Sequence, residues 1–194
     1  MSHIPYPEDA ELDEGSQRIL ETLPPLNIIR MFAGAPAALK PLTDLGQAVL
    51  LHAELDAQLR QVAVLTIARV TESEYERVQH ENVARVVGLH DDVIEALRAG
   101  EVGPLSPPQR LIATYAEQIA VDVEADPELT REVLGLLGRR QTTELVVCCA
   151  YYCAVARIIA TCGVRVEERT PTAAFTPADA DPGRWAPTDD HDPS

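Results

Sequence analysis

One segment of the chain, TESEYERVQHENVARVVGL (Thr71 to Leu89), carries a complete set of helix signals. Ser73 followed three positions later by Glu76 has the spacing of a capping box, in which each side chain bonds the other residue's free backbone N–H. Gly88, with Leu89 behind it, is typical of a left-handed C-terminal stop. The sequence therefore predicts one capped helix that ends at this glycine.

The same helix has a charged and an apolar side. At about 100° per residue, Arg77, Glu81 and Arg85 fall on one stripe with alternating charges, which we expect to face solvent. The opposite arc is predicted to be buried, and it contains Tyr75, Val78, Gln79, Val83, Val86 and Val87.

Glu76 and His80 lie four residues apart on the edge of the buried arc, so we expect them to touch. A carboxylate beside an imidazole at a core boundary could act as a general acid/base pair, because burial and the neighbouring group both shift the pKa. The alternative is that Glu76 only caps the helix and His80 is a hydrogen-bonded boundary residue. Spacing alone favours this second interpretation.

The rest of the chain also has helical patterns and no competing strand pattern. The helix after Asp56, QLRQVAVLTIARV, places Gln61 within an apolar stripe, where a glutamine either satisfies a backbone group or serves a site. Two further helices begin at Ser106 and Asp126, and the final one runs from about Gln141 to Cys162. This last helix is apolar on nearly all sides, so it is predicted to be the central element or an oligomer contact.

Arg157 is the one charged residue in the middle of that apolar helix. We expect it to reach a carboxylate or a helix C-terminus from a boundary position. Its functional alternative is to anchor a substrate carboxylate, since arginine presents a bidentate fork.

Composition limits the partners and the compartment. The net charge of −15 and the lack of a Lys/Arg cluster argue against nucleic acid and anionic membranes. The polar, acidic N-terminus does not resemble a signal peptide, and the final helix is too diluted by polar residues to suggest a membrane span, so a cytoplasmic protein is predicted. The four cysteines are expected to be buried free thiols, and no metal is expected, because the histidines lie in unrelated segments. These positions are Cys148, Cys149, Cys153 and Cys162.

Three regions are predicted along the chain. Residues 1–26 form an acidic helix and arm, and residues 27–168 form a helical domain. Residues 169–194 are rich in proline and aspartate, so they are predicted to be a disordered tail.

From about Asn27 to Val166 the chain resembles the carboxymuconolactone decarboxylase-like proteins, which share an all-helical fold with alkylhydroperoxidase D. The resemblance is carried by LDAQLRQVAVLTIARVTESEYERVQHENVARVVGLHDDVIEAL and by ELVVCCAYYCAVARIIATCGV. It implies an all-α bundle of about seven to eight helices without a sheet. It also implies a homo-oligomer, whether a dimer, a trimer or a hexamer.

In the peroxidase branch of that family, a Cys-x-x-Cys pair begins the central helix, a histidine follows after three intervening residues, and a glutamate precedes the first cysteine by twelve positions. Those places hold Ser73, Glu76, His80 and Gln61 in this chain. A serine hydroxyl cannot form a disulfide, so the resemblance disfavours thiol peroxidase activity.

The decarboxylase branch has a pattern similar to Ser73, Tyr75, Glu76 and His80. This likeness implies cofactor-free chemistry on a small carbonyl or lactone acid, by decarboxylation or isomerisation through an enolate. In this hypothesis His80 transfers the proton and an ionised Glu76 orients it. Gln61 and Ser73 stabilise the developing oxyanion, and Tyr75 and Arg157 bind the substrate. The alternative is a catalytically inactive oligomeric binding protein, in which His80 would be sealed by side chains.

Overall fold

The computed structural model describes residues 2–167, so the predicted tail at residues 169–194 lies outside the described residues. Within this range the protein is all-α and has no strand, as the sequence predicts. A 3₁₀ turn at Asp9–Glu11 precedes the first helix, and a π-helical turn at Ala48–His52 follows the third. The eight helices are α1 (Glu14–Thr22), α2 (Asn27–Phe32), α3 (Pro36–Gln47), α4 (Ala57–Val70), α5 (Glu74–Val86), α6 (Asp91–Ala99), α7 (Pro107–Asp122) and α8 (Pro127–Cys162).

The polar signals read from the sequence begin three of these helices. The Asp56 side chain accepts hydrogen bonds from the backbone N–H groups of Gln58 and Leu59 at the start of α4. Ser106 and Gln109 form a complete capping box on α7, and Asp126 caps α8. Because each cap satisfies N–H groups that have no partner inside the helix, the boundaries of these elements are fixed locally.

The centre of the bundle is α4, which packs against α5, α6, α7 and α8. Every residue from Arg60 to Ala68 is buried. The expectation that the final helix is the central element is therefore wrong in this form, because one face of α8 stays outside the bundle. The polar residues at the start of α4 are consequently placed deep inside the protein.

Helix α8 joins the two segments that the sequence predicts as separate helices. Gly138 lies between them with φ 72 and ψ 170, outside the helical region, and therefore marks a break in direction. After the break, one side of α8 packs in the core and the other is exposed. The exposed positions, called the α8 outer stripe below, are Thr143, Val147, Ala150, Ala154, Arg157 and Thr161.

By length and composition, α8 is the one helix among the described residues that could also cross a membrane. Residues on its inner face, including Leu145, Cys149 and Tyr152, are buried against other helices of the bundle. A core helix of a soluble bundle passes the same test of length and composition.

Helix α5 ends as predicted, but its buried face is rotated relative to the prediction. Gly88 has φ 84, and the Leu89 N–H donates to the Ala84 carbonyl at 2.9 Å, which closes the C-terminus. Val86 is 48% exposed, whereas Glu81 is buried and pairs with Arg77 and Arg98. Tyr75, Gln79 and Val83 are buried as predicted, and the buried face extends to Glu76, His80 and Ala84.

The hydrophobic core has two clusters of buried side chains. The larger one is built mainly from α4, α6, α7 and the inner face of α8. The smaller one joins α2 and α3 to Tyr75 and to the end of α8, and Tyr151 packs against both clusters. The N-terminal arm lies against this smaller part, where the backbone N–H of His3 donates to the Cys162 carbonyl at 2.8 Å.

Candidate functional site

The candidate site is formed where α4 and α5 face each other inside the bundle. His80 Nδ1 lies 2.9 Å from Oε1 of Gln61. Because an amide oxygen can only accept, His80 carries its proton on Nδ1, and the lone pair on Nε2 is left as the basic atom. The sequence placed both residues near a site but did not indicate that they pair.

His80 is held as a neutral imidazole. It is 6% exposed, and its ring meets the Tyr152 ring edge-on at a centroid distance of 4.7 Å. Burial lowers the pKa of His80 to about 3, and the positive charge of Arg60 acts in the same direction. A histidine in this state is neutral at pH 7 and is a weaker base than an ordinary imidazole.

Glu76 is buried without a hydrogen bond to its carboxyl group. It is 2% exposed, and neither carboxyl oxygen has a hydrogen-bond partner. Burial raises the pKa of Glu76 to about 8, and the nearby Ser73 hydroxyl offsets this only in part. The group is therefore protonated at neutral pH and can donate a proton.

Two expectations for Glu76, a complete capping box and an ionised side chain that orients His80, are contradicted. Ser73 does accept a hydrogen bond from the Glu76 backbone N–H, but the Glu76 side chain does not return one, so the capping box is only half formed. Glu76 also makes no hydrogen bond to His80, whose Nδ1 is taken by Gln61. The physical reason is that Glu76 turns into the core, where desolvation outweighs the stabilisation of charge by the helix N-terminus.

Arg60 belongs to the same site, although no sequence pattern indicated this. It is 6% exposed, and its Nη1 atom donates to the Leu55 carbonyl at 3.1 Å. Its Nε atom is buried and has no acceptor, and neither has Nε2 of the neighbouring Gln61. The available signal was a charged residue directly before the buried glutamine in the apolar helix.

Arg60, Gln61, Glu76 and His80 are called the buried polar cluster below. The inner face of α8 completes its surroundings with Cys148, Tyr151 and Tyr152. Burial raises the pKa of Cys148 to about 12. The charge of Arg60 acts against this shift, and the charge of Glu76 adds to it. Burial also raises the pKa of Tyr151 to about 12, and the charge of Glu76 adds to this shift.

The other predicted site residues lie at the margin of the cluster or outside it. Ser73 is buried at the start of α5. The Tyr75 hydroxyl donates to Glu167 at 2.6 Å and accepts from the Ile28 N–H at 3.4 Å, so it is engaged in the smaller core cluster. Arg157 lies in the α8 outer stripe, where it donates to the Cys153 carbonyl at 2.6 Å and reaches no carboxylate among the described residues.

The thiols are unsuited to peroxide reduction in this conformation. Cys148, Cys149 and Cys153 are buried, and Cys162 is partly exposed at the far end of α8. Burial raises the pKa of all three buried thiols, so the reactive thiolate is disfavoured. The start of α5, where the peroxidase branch has its thiols, carries none.

The buried polar cluster is enclosed by side chains. A separate cavity of about 530 Å³ lies beside α1 and α2, and none of the residues that line it belongs to the cluster. Close to the cluster, the Tyr151 hydroxyl donates to the Leu42 carbonyl at 3.2 Å, and its ring end lies against Gly46 of α3. A ligand would therefore have to enter by a local movement of side chains or helices.

No group of three or more metal-ligating side chains occurs in the part of the chain that the structure describes. The buried polar cluster contains one histidine and one carboxyl group, which are too few for an ordinary protein metal site. Its chemistry is that of hydrogen bonding and proton transfer.

Two solved structures share this architecture. The crystal structure of an alkylhydroperoxidase AhpD core, an uncharacterized peroxidase-related protein from Ralstonia eutropha JMP134, superposes with a TM-score of 0.73 at 21% identity, over 86% of this chain and 93% of that one. An uncharacterized peroxidase-related protein from Silicibacter sp. TM1040 gives a TM-score of 0.71 at 18% identity, over 86% and 91% of the two chains. No protein-family model and no curated protein matches the sequence. The chain therefore has the fold of the alkylhydroperoxidase AhpD core.

Proposed function

We propose that this protein is a cofactor-independent acid–base enzyme, similar to carboxymuconolactone decarboxylases, that acts on a small carbonyl or lactone acid through an enolate. The observation that carries the proposal is a buried Glu76 carboxyl group without a hydrogen-bond partner and a buried His80 imidazole on the same helix, with Gln61 holding the imidazole. Burial raises the pKa of the carboxyl group and lowers the pKa of the imidazole, so the neutral form of each is favoured. Environments that move two titratable groups in opposite directions are typical of acid and base pairs in enzymes.

The proposed roles follow from the protonation states. In an isomerisation, Nε2 of His80 takes a proton from the γ carbon of an α,β-unsaturated carbonyl compound, which leaves a dienolate, and Glu76 gives its proton to the α carbon. In a decarboxylation, the C–C bond breaks as CO₂ leaves, its electron pair forms the same dienolate, and Glu76 protonates the carbon. After either reaction Glu76 regains a proton from solvent, and after the isomerisation His80 also releases to solvent the proton that it took.

Gln61 would stabilise the intermediate in either reaction. Its Nε2 group is buried and has no partner, while its oxygen orients His80. A preorganised N–H donor aimed at a developing oxyanion is one of the more effective devices in enzyme sites. Glu76 replaces His80 as the proton donor of the sequence hypothesis, and His80 keeps the role of the base.

The competing proposal is a catalytically inactive oligomeric binding protein of the same fold. The burial of His80 and Glu76 favours it, because the two residues are only 6% and 2% exposed. The unpaired polar atoms oppose it, since buried groups that serve only packing normally have hydrogen-bond partners. Thiol peroxidase activity is disfavoured by the buried, high-pKa cysteines.

We also infer a cytoplasmic protein whose partners are a small-molecule substrate and other copies of itself. The net charge of −15 supports the exclusion of nucleic acid and anionic membrane surfaces.

Deuterium exchange can test the proposed function without knowledge of the natural substrate. The probe is a butenolide with an acetate group on its γ carbon, in D₂O, followed by proton NMR. Wild-type protein should exchange the γ hydrogen and place deuterium on the α carbon. His80→Gln should slow both processes by about 10²–10⁴. Glu76→Gln should retain γ exchange but lose incorporation at the α carbon.

The matched control is Glu74→Gln, which changes an exposed carboxylate on the same helix and should behave as wild type. If His80→Gln exchanges the probe as fast as wild type, the acid–base assignment is wrong. If folded wild-type protein gives no exchange above buffer, the inactive binding protein becomes the better account.

A further inference from the structure

Arg60 is a buried cation without a counter-ion. Its guanidinium donates to the Leu55 carbonyl, its Nε has no acceptor, and no ion pair involves it among residues 2–167. Removing a charged group from water is costly unless it is paired, so this arrangement lowers the stability of the empty protein. A residue kept in this state is best explained by a partner that arrives from outside.

The neighbouring Gln61 presents the same deficiency. The whole Gln61 residue is 0% exposed, and its Nε2 group has no hydrogen-bond acceptor. Arg60 Nε and Gln61 Nε2 are both hydrogen-bond donors, and they come from consecutive residues of α4. An acceptor with more than one oxygen and a negative charge would satisfy both of these donors.

Arg60 is also close enough to His80 to act on it electrostatically. Its charge contributes to the low pKa of the His80 imidazole after the effect of burial. Glu76, the nearby carboxyl group, is neutral at pH 7 because burial raises its pKa to about 8, so it does not repel an incoming anion. The cluster is therefore locally positive inside a protein whose net charge is −15.

We propose that Arg60 binds a carboxylate of the substrate and so places the carbonyl part of the substrate between His80 and Glu76. The Gln61 amide has two N–H bonds, so one can donate to this carboxylate while the other donates to the enolate oxygen. Arginine suits this role, since its planar fork matches the two oxygens of a carboxylate. This inference rests on the proposed function for the position of the reacting carbons. It moves the anchoring role from Arg157, which lies in the α8 outer stripe, to a residue within the cluster.

The carboxylate held by Arg60 is a spectator in the reaction. An ion pair to the carboxylate that leaves as CO₂ would stabilise the starting state more than the transition state, because this carboxylate loses its negative charge as the C–C bond breaks. The ion pair would therefore slow the decarboxylation. A substrate that is decarboxylated here must therefore carry a second carboxyl group. A substrate that is only isomerised needs one.

Binding of an unreactive analogue tests this proposal separately from catalysis. The probe is the saturated γ-lactone with an acetate group on its γ carbon, titrated by calorimetry, and its methyl ester is the neutral comparison. Wild-type protein should bind the acid at least about tenfold more tightly than the ester. Arg60→Met should weaken acid binding by about 10- to 100-fold. Arg60→Lys should retain part of the affinity, and the control Arg157→Met should retain all of it.

The proposal is overturned if folded Arg60→Met binds the acid as tightly as wild type, if the ester binds as well as the acid, or if wild type does not bind the acid at millimolar concentration. Should Arg60→Met not fold, the acid–ester comparison on wild type and Arg60→Lys decides. Acid binding that depends on Arg60 without deuterium exchange would sustain the anchor and refute the proposed function. Deuterium exchange in Arg60→Met with the KM of wild type would sustain the proposed function and refute the anchor.

Discussion

At the scale of single residues, Glu76 and His80 are notable because both are uncharged near pH 7. They lie one turn apart on α5, and burial is the main cause of both pKa shifts, upward for the acid and downward for the base. Two neutral groups avoid the cost of buried charge and still supply one donor and one acceptor. Direct Glu76–His80 contact is not needed for this, and the structure shows no hydrogen bond between them.

The pKa shifts predict how stability depends on pH. Burial raises the pKa of Glu76 from 4.5 to about 8. Its contribution to stability is therefore complete below about pH 4.5 and is lost as the pH rises through about 8. Burial lowers the pKa of His80 from 6.5 to about 3. Its contribution to stability is therefore complete above pH 6.5 and is lost as the pH falls toward 3. Only the Glu76 effect acts between pH 6.5 and 8.

Urea unfolding of the wild-type protein should therefore give a lower free energy of unfolding at about pH 8.5 than at about pH 6.5. Glu76→Gln should show a smaller fall, because an amide does not titrate. Glu74→Gln, an exposed carboxylate on the same helix, should follow wild type. Equal pH dependence in wild type and Glu76→Gln would show that Glu76 titrates normally in the folded protein.

The sequence could identify some of these residues but not their states. Gln61 and His80 stood out because they are polar residues on apolar helix faces. Glu76 was predicted to cap its helix, because the Ser-x-x-Glu spacing is a local signal. Its burial depends on residues of α8 that are distant in sequence. Arg60 was missed for the same reason, since an arginine near a helix start is usually solvated.

At the scale of elements, the ends of helices were predictable and their orientations were less so. Asp56, Ser106 and Asp126 act within their own turns, and the prediction that each begins a helix is confirmed. The buried side of α5 is set by its contacts with α4 and its neighbours, and this turned Val86 outward and Glu76 inward. Local periodicity does not contain that information.

The α8 outer stripe carries a prediction about assembly, which the sequence hypothesis also made. Its residues are mainly small or apolar and lie on one exposed face, and Val146 beside them is 38% exposed. Such a face allows a helix of another copy to approach closely. We expect a homo-oligomer at micromolar concentration, and Val147→Arg should weaken it by at least about tenfold, because it buries a charge at the contact.

Light scattering coupled to gel filtration measures this effect. Val102→Arg is the matched control, because it adds the same charge at an exposed valine between α6 and α7 and should leave the mass unchanged. A monomeric wild-type protein, or an oligomer that Val147→Arg leaves intact, would remove α8 as the contact.

At the scale of the whole molecule, the site depends on contacts between distant parts of the chain. The buried polar cluster takes its residues from α4 and α5 and its surroundings from α8. Glu167, near the end of the described chain, accepts hydrogen bonds from Tyr75, Gln79 and the Asn27 N–H, each at 2.6 Å, and so ties α2 to α5. The all-α class followed from helix periods, whereas these pairings follow only from tertiary packing.

The central claim is that Glu76 is a protonated acid at neutral pH, and carbon-13 NMR of protein labelled at the glutamate carboxyl carbons tests it most directly. Comparison with Glu76→Gln identifies the Glu76 resonance, which is then followed as the pH is raised. The account predicts a midpoint of about 8, well above the ordinary glutamate value of about 4.3. A Glu76 resonance that titrates with the ordinary glutamates would contradict the assignment of this residue as the proton donor.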